Sequence, residues 1–349
     1  MNLRDQTTIP TRIIEGLSIN HLGRNERVGF PVATYETPLF ASIKRGVKVS
    51  KLHPISVAVL SDCMTRSAIF QCENVIEVER FLSFLDTHKT SGKMQEIVAK
   101  TSHHCKILNV ESQVVGNLVY VRFVYDTGEA AGHNMTTIAT NEIAKWLASN
   151  FDGEVKYISN SGNTCCDKKV SAINSISGRG KHVVAEVFIS RQTCAEILKT
   201  TPEKMADLNI KKNFVGSMLG GSVCSANAHY ANMLAALYLP LGQDVANIVE
   251  GSQGTTYCEV NSDGDLYFSV NLPNIICGCV GNGKELAFVR ENLKTIGCIK
   301  EDGGLIDGAS KRMAAIIGAV VLCGELSLMA ALTNKDELVR SHLALERKK

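Results

Sequence analysis

Four short stretches of the chain pair titratable side chains with residues that bend the backbone. The first is Ala33-Thr34-Tyr35-Glu36-Thr37-Pro38, with Arg45-Gly46 nine residues beyond Glu36. The second is the polar run Ser161-Gly162-Asn163-Thr164-Cys165-Cys166-Asp167-Lys168-Lys169. The third is Gly242-Gln243-Asp244, closing a segment dense in small residues, and the fourth is Ser341-His342 near the C-terminus. Together they supply a carboxylic acid, an ammonium, a second carboxylate and an imidazole. Such groups can protonate a carbonyl oxygen, hold an oxyanion and quench a leaving group. Taken singly, each stretch reads as a solvated turn, a surface charge cluster, a helix end or a frayed tail.

Hydrophobic spacing predicts the elements that position these groups. From Arg66 to Asn160 the pattern opens with a strand, SAIFQC, and two helices, VIEVERFLSFLDTH and KMQEIVAK. Two strands follow, CKILNV and NLVYVRFVY, with a turn at 114–117, then a helix over 135–149 and a last strand, VKYIS. That β-α-β-β-α-β order is the split unit of ferredoxin-like domains. It predicts a compact insert, 67–160, inside a larger domain made of 1–66 and 161–349. The larger domain carries helical patterns in AEILKTTPEKMADLNI, in 215–238 and in 313–332, while 255–260 and 266–272 read as strands. The expected fold class is therefore α+β, with a mostly helical larger domain and an inserted ferredoxin-like one.

Composition bounds the partners. A length of 349 residues suits about two domains, and 45% hydrophobic with 21% charged residues fits a globular chain. The 37 Lys+Arg against 35 Asp+Glu leave a net charge of +2, which speaks against a nucleic-acid partner. The 12 cysteines include no C-x-x-C pair, and neither Cys165-Cys166 nor Cys277-x-Cys279 has zinc or thioredoxin spacing, so no metal site is expected. The start, MNLRDQTTIPTRIIEG, has no apolar signal region, and Glu325 interrupts the longest apolar run. A cytoplasmic chain with reduced thiols and no membrane span is expected.

Several longer motifs occur in order. They are SGNTCCDKKVSAIN, Ile210-Lys211-Lys212-Asn213-Phe214-Val215-Gly216-Ser217, Asn227-Ala228-His229-Tyr230-Ala231-Asn232 followed by Gly242-Gln243-Asp244, and GELSLMAAL at 324–332. From about residue 29 to 342 the chain resembles the 3-hydroxy-3-methylglutaryl-coenzyme A (HMG-CoA) reductase family. The resemblance implies reduction of HMG-CoA to mevalonate and CoA by two nicotinamide-borne hydrides, through a hemithioacetal and an aldehyde. It places Glu36, Lys168, Asp244 and His342 at catalytic positions. Lys168 would hold the oxyanion, and Glu36 would protonate it, with its pKa raised by burial or by a neighbouring carboxylate, of which Asp244 is the obvious one. His342, in a tail that closes as a flap, would protonate the departing thiolate. Arg66, Ser161, Asn163, Lys212 and Asn232 fall where the family contacts substrate, and Arg45 supports the first stretch. The resemblance also implies that the insert binds the cofactor. It implies a homodimer or larger homo-oligomer with the active site at the subunit interface.

The cofactor motifs depart from the family pattern. DAMGMN appears as Glu129-Ala130-Ala131-Gly132-His133-Asn134, and GTVGGGT as Gly278-Cys279-Val280-Gly281-Asn282-Gly283-Lys284. Glu129, Gly132, His133, Asn134, Gly278, Gly281 and Gly283 are the expected cofactor contacts. An arginine expected to grip the 2′-phosphate of NADPH is missing from Ser102-His103-His104, leaving His103 or Lys106 to serve. NADPH is the expected cofactor and NADH the alternative. The departures keep a second reading open, a non-catalytic CoA or nucleotide binder. Oxidation of mevalonate by the same residues, for catabolism, is a third. Glu73-Asn74-Val75-Ile76 resembles the family's dimerisation motif, but it lies downstream of Glu36 rather than upstream and reads as coincidence.

Overall fold

The computed structural model describes residues 7–345. Its strands are β1 (Thr11–His21), β2 (Arg24–Ala33), β3 (Ile55–Cys72), β4 (Lys106–Val115), β5 (Leu118–Asp126), β6 (Val155–Ser159), β7 (Gly180–Ile189), β8 (Ser225–Ala226), β9 (Gly254–Val260) and β10 (Leu266–Ile275). Seven strands form one path, β2-β1-β3-β7-β10-β9-β8, and β4, β5 and β6 join through β3. The fold is mixed α+β. A sheet organises the larger part, which was expected to be mostly helical. That expectation missed β1 and β7. In β1 a register shift between Ile14 and Leu17, beside Gly16, breaks the period-2 pattern. In β7 Val184 and Phe188 are apolar on the open face while Val183, Ala185, Val187 and Ile189 are buried, so apolar residues line both faces.

The 18-residue β3 belongs to both parts of the sheet. Its first half pairs with β1 and β7, and from Met64 onward it pairs with β5 and then β6. The boundary expected between residues 66 and 67 thus falls inside a continuous strand. A register shift against β7 between Val59 and Ser61 marks where it turns away. Beyond it, α2 (Val75–Thr90), α3 (Lys93–Thr101) and α4 (His133–Asn150) pack on one face of the order β4-β5-β3-β6. Ala68, Phe70 and Cys72 of β3 and Val119, Val121, Phe123 and Tyr125 of β5 supply that face, with Phe81, Ile143 and Leu147 from the helices. Asn74 accepts from the amides of Ile76 (3.0 Å) and Glu77 (3.1 Å), so the Glu73–Ile76 stretch is a helix cap.

The apolar run is the helix Ala309–Leu332, and 20 of its 24 residues are buried against β3, β7, β10 and α1 (Thr37–Ser50). Its length and composition would suit a membrane, but here it forms the core of the larger part. The helix expected over 215–238 is broken. Helical structure ends at Leu219, and only Tyr230–Tyr238 resumes it. Glu325, fully buried on the core helix, explains the break. It accepts from the amides of Ala228 (2.6 Å) and His229 (3.1 Å) and from the Thr256 hydroxyl (2.7 Å). The carboxyl competes with helical carbonyls for those amides and fixes the entry to the helix that carries Asn232. Glu325→Ala strands two amides at about 1–3 kcal/mol each, while the Thr256 hydroxyl keeps the Tyr230 hydroxyl as a partner. Urea unfolding should show a loss of at least about 2 kcal/mol, and a loss under about 1 kcal/mol would refute this role.

Candidate active site

The Ser161–Lys169 stretch is an irregular loop leading from β6 to the short helix Ala172–Ser177. Asn163, Cys166 and Lys168 all have positive φ (59°, 46° and 56°), a conformation costing non-glycine residues about 1–2 kcal/mol each. The loop is held by its surroundings. The Gly162 amide donates to Ser67, Asn174 donates to the Cys166 carbonyl (3.0 Å), and the Lys168 amide donates to Glu250 Oε1 (3.1 Å). Behind it lies Arg179, 1% exposed, whose guanidinium reaches Asp167 Oδ1 at 2.9 Å and Glu250 Oε1 at 2.8 Å. Burial pushes the Glu250 carboxyl up, against the pull of its own backbone amide, of Arg179 and of the Lys168 amide.

Lys168 Nζ lies 2.8 Å from Asp244 Oδ2, and Asp244 Oδ1 accepts from the Ala246 amide. The hydrogen bond that Lys168 donates to Asp244 is the main cause raising the Lys168 pKa. Burial works against the Asp244 charge, but Lys168 and the Ala246 amide outweigh it and hold the carboxyl below its ordinary value. Both groups therefore stay charged around neutral pH, and the pair is a preformed ammonium–carboxylate couple. It lines a cavity of about 660 Å³ together with Arg66, Gly132, His133, Asn134, Asp167, Gly281 and Lys284.

Three loops close around this cavity. The Cys279 amide donates to the Glu129 carbonyl (2.8 Å), and Gln243 exchanges two hydrogen bonds with the Gly278 backbone (2.9 and 3.2 Å). Gly278 is required there, because a Cβ would overlap the backbone of Ala130 and Ala131. Lys284 Nζ donates to the Gly242 carbonyl, next to Asp244. Gly132 caps α4, so the first turn of an 18-residue helix faces the cavity with free amides suited to an anion. The donor set fits a phosphate-bearing cofactor.

Several expected site residues lie elsewhere. Glu36 caps the start of α1 and accepts from Asn232 Nδ2 (3.2 Å), away from the cavity lining. Its expected neighbour Asp244 is committed to Lys168 instead. His342 is on the helix Glu337–Leu345, not in a loose tail, and that helix packs on α1 and the core helix. Arg45 docks it, pairing with Glu337 (2.5 Å) while also bonding Ser327. Glu129 spends its carboxylate on the Ser310 amide (2.5 Å) at the start of the core helix. Ser161 and Asn163 are exposed on the loop, Lys212 is half-buried in the π-helical stretch Asn209–Gly216, and His103 is exposed in the turn before β4. Gly278 and Gly283 flank the cavity loop without lining it. Sequence reasoning missed Arg179 and Glu250, and it gave no role to Gln243 and Lys284 although both stand inside the motifs it singled out. Of the first two, only Arg179 carries a local sign, a cation set between Gly178 and Gly180 ahead of an apolar strand.

A sequence model described as hydroxymethylglutaryl-coenzyme A reductase matches residues 4–347. Proteins named 3-hydroxy-3-methylglutaryl-coenzyme A reductase are similar over nearly the whole chain. The one from Pyrococcus abyssi is 39% identical, with 99% of this chain and 84% of the relative covered. The one from Methanocaldococcus jannaschii is 38% identical with the same coverage. Among solved structures, the class II reductase of Streptococcus pneumoniae bound to NADPH has a TM-score of 0.74 at 16% identity, covering 96% of this chain and 78% of that one. At that identity it speaks for the fold alone.

His133 generates a prediction of its own. Its Nε2 stands 3.8 Å from Asp167 Oδ1, the oxygen that Arg179 holds. Burial and then Arg179 lower its pKa, with Lys168 adding to them and Asp167 and Asp244 opposing. A histidine whose folded pKa lies below its unfolded value leaves the unfolded chain binding more protons, so stability falls as pH drops below about 6.5. His133→Met should flatten that acid loss in thermal unfolding scans taken from pH 7.5 to 5. Superimposable pH dependences for the two proteins would refute the assignment.

Proposed function

The chain belongs to the hydroxymethylglutaryl-coenzyme A reductase family, and we propose that it carries out that family's reaction, reducing HMG-CoA to mevalonate and CoA. The observation that carries this reading is the Lys168–Asp244 couple, 2.8 Å apart, in a cavity shared with the Gly132–Asn134 and Gly281 loops. Two successive molecules of NADPH, with NADH as the alternative, would each supply one hydride when bound. Gly132, His133, Asn134 and Gly281 are the residues that would hold the cofactor. The β4-β5-β3-β6 order supports reading 67–160 as a ferredoxin-like cofactor domain inserted between 1–66 and 161–349.

Lys168 is the oxyanion-stabilising group. Its ammonium presents a compact charge, and Asp244 keeps it protonated and aimed. Arg66, whose Nε donates to the Asn160 carbonyl (2.8 Å), orients a substrate carboxylate or thioester from the cavity wall. Glu36, with Asn232, forms a second half-site that supplies the proton to the carbonyl oxygen. His342 protonates the leaving thiolate. Ser161, Asn163 and Lys212 contact the acyl portion. The separation of Glu36 from the cavity supports a homo-oligomer in which one copy's Glu36 faces another copy's Lys168. The retained couple favours catalysis over simple binding of CoA, and the enzyme acts in the cytoplasm.

Purified protein should oxidise NADPH or NADH in the presence of HMG-CoA, followed by absorbance. No turnover with either cofactor would overturn the proposal. Lys168→Met should abolish reduction without lowering the unfolding temperature, and an active variant would remove Lys168 from the mechanism. Lys168→Met and Glu36→Gln, each inactive alone, should regain about a quarter of the activity when co-refolded, because hybrid dimers contain one intact site. Absence of any recovery would place both residues within one subunit's site.

A further inference from the structure

Among the cations lining the cavity, Lys168 is neutralised by Asp244, and Arg66, which has no described ion pair, is held on the Asn160 carbonyl (2.8 Å) and assigned above to the substrate. Lys284 is different. Its side chain is half-buried on the loop Gly281-Asn282-Gly283, its ammonium donates to the Gly242 carbonyl, and no described carboxylate lies within ion-pair distance of it. An ammonium taken out of water with one neutral acceptor is under-compensated. The lowered pKa of Lys284 has burial as its main cause, and Cys277 and Cys279, followed by the Glu285 and Asp244 carboxylates, only partly offset it. The cavity thus holds an unmatched positive charge on one wall and the free amides of the α4 first turn on another.

We infer that Lys284 binds a phosphate of the nicotinamide cofactor and is this chain's principal cofactor-anchoring cation. This rests on the nicotinamide reading proposed above. His103, the cation expected for that task, is exposed in a turn and absent from the cavity wall. Lys284 is also tied to the carbonyl two residues before Asp244. An anion drawn to it therefore docks against the same segment that aims Lys168. The phosphate in question is either the diphosphate, present in both cofactors, or the 2′-phosphate, present in NADPH only.

Dissociation constants of NADPH and NADH, read from nucleotide fluorescence with no thioester present, test the inference. Lys284→Gln keeps a donor for the Gly242 carbonyl but discards the charge, and it should weaken binding by about 10- to 100-fold. Lys284→Arg should stay within a few-fold of the unaltered chain. Loss with both cofactors supports contact with the diphosphate, and loss with NADPH alone supports the 2′-phosphate. Unchanged constants for both in Lys284→Gln overturn the inference while leaving the nicotinamide reading intact. If the unaltered chain binds neither nucleotide, the nicotinamide reading falls and the inference with it. If Lys284→Gln unfolds, Lys284→Met takes its place, with a loss of about 10- to 100-fold upholding the inference and unchanged constants overturning it.

Discussion

The Arg179 guanidinium is the contact on which the Ser161–Lys169 loop depends. Moving it out of water is expensive, and two carboxylates offset that cost, Asp167 from the loop itself and Glu250 from the segment after Asp244. Glu250 also receives the Lys168 amide, so one buried cation fixes a residue on each side of the Lys168 peptide. That is why three non-glycine residues can sit in left-handed backbone within six positions. Strain of this kind persists only where the surroundings over-determine it. Here the surroundings are ionic rather than hydrophobic, and they aim an ammonium instead of merely filling space.

Charge in the cavity is arranged on the same principle. Asp244 neutralises Lys168 and is itself held by a backbone amide, so the couple has a fixed direction. Gln243, the residue before it, is locked to the Gly278 backbone, and Lys284 reaches back to Gly242. The wall that carries Asp244 and the wall that carries the glycine loop are therefore one hydrogen-bonded unit. Preorganisation of this type spares reorganisation when charge develops in a transition state.

Much of this was legible in the sequence. The helices of the inserted part, strands β4, β5 and β6 and the core helix follow from hydrophobic period, because each has one apolar face or is buried all round. The family resemblance, not the residue types alone, grouped Lys168, Asp244 and Gly132, and the three line one cavity. What escaped were features that period cannot carry. Arg179 and Glu250 are buried ions, which hydrophobic patterning assigns to the surface. The break ahead of Tyr230 is imposed by Glu325, a residue distant in sequence, on a run whose own propensity is helical. His342 was placed in a tail because the helix Glu337–Leu345 draws its docking from Arg45, a contact between the two ends of the chain.

The continuous strand β3 changes how the inserted part should be regarded. A module joined by two flexible links can be lost, swapped or duplicated without disturbing its host. This one is not such a module, since its first strand is the host's own strand and its return path is the Ser161–Lys168 loop. β3 acts as a lever arm rather than a tether: any tilt of the inserted part about it pulls directly on the segment that holds Lys168. Separating the inserted part from its host would cut β3 through the ladders it shares with β5 on one side and β7 on the other.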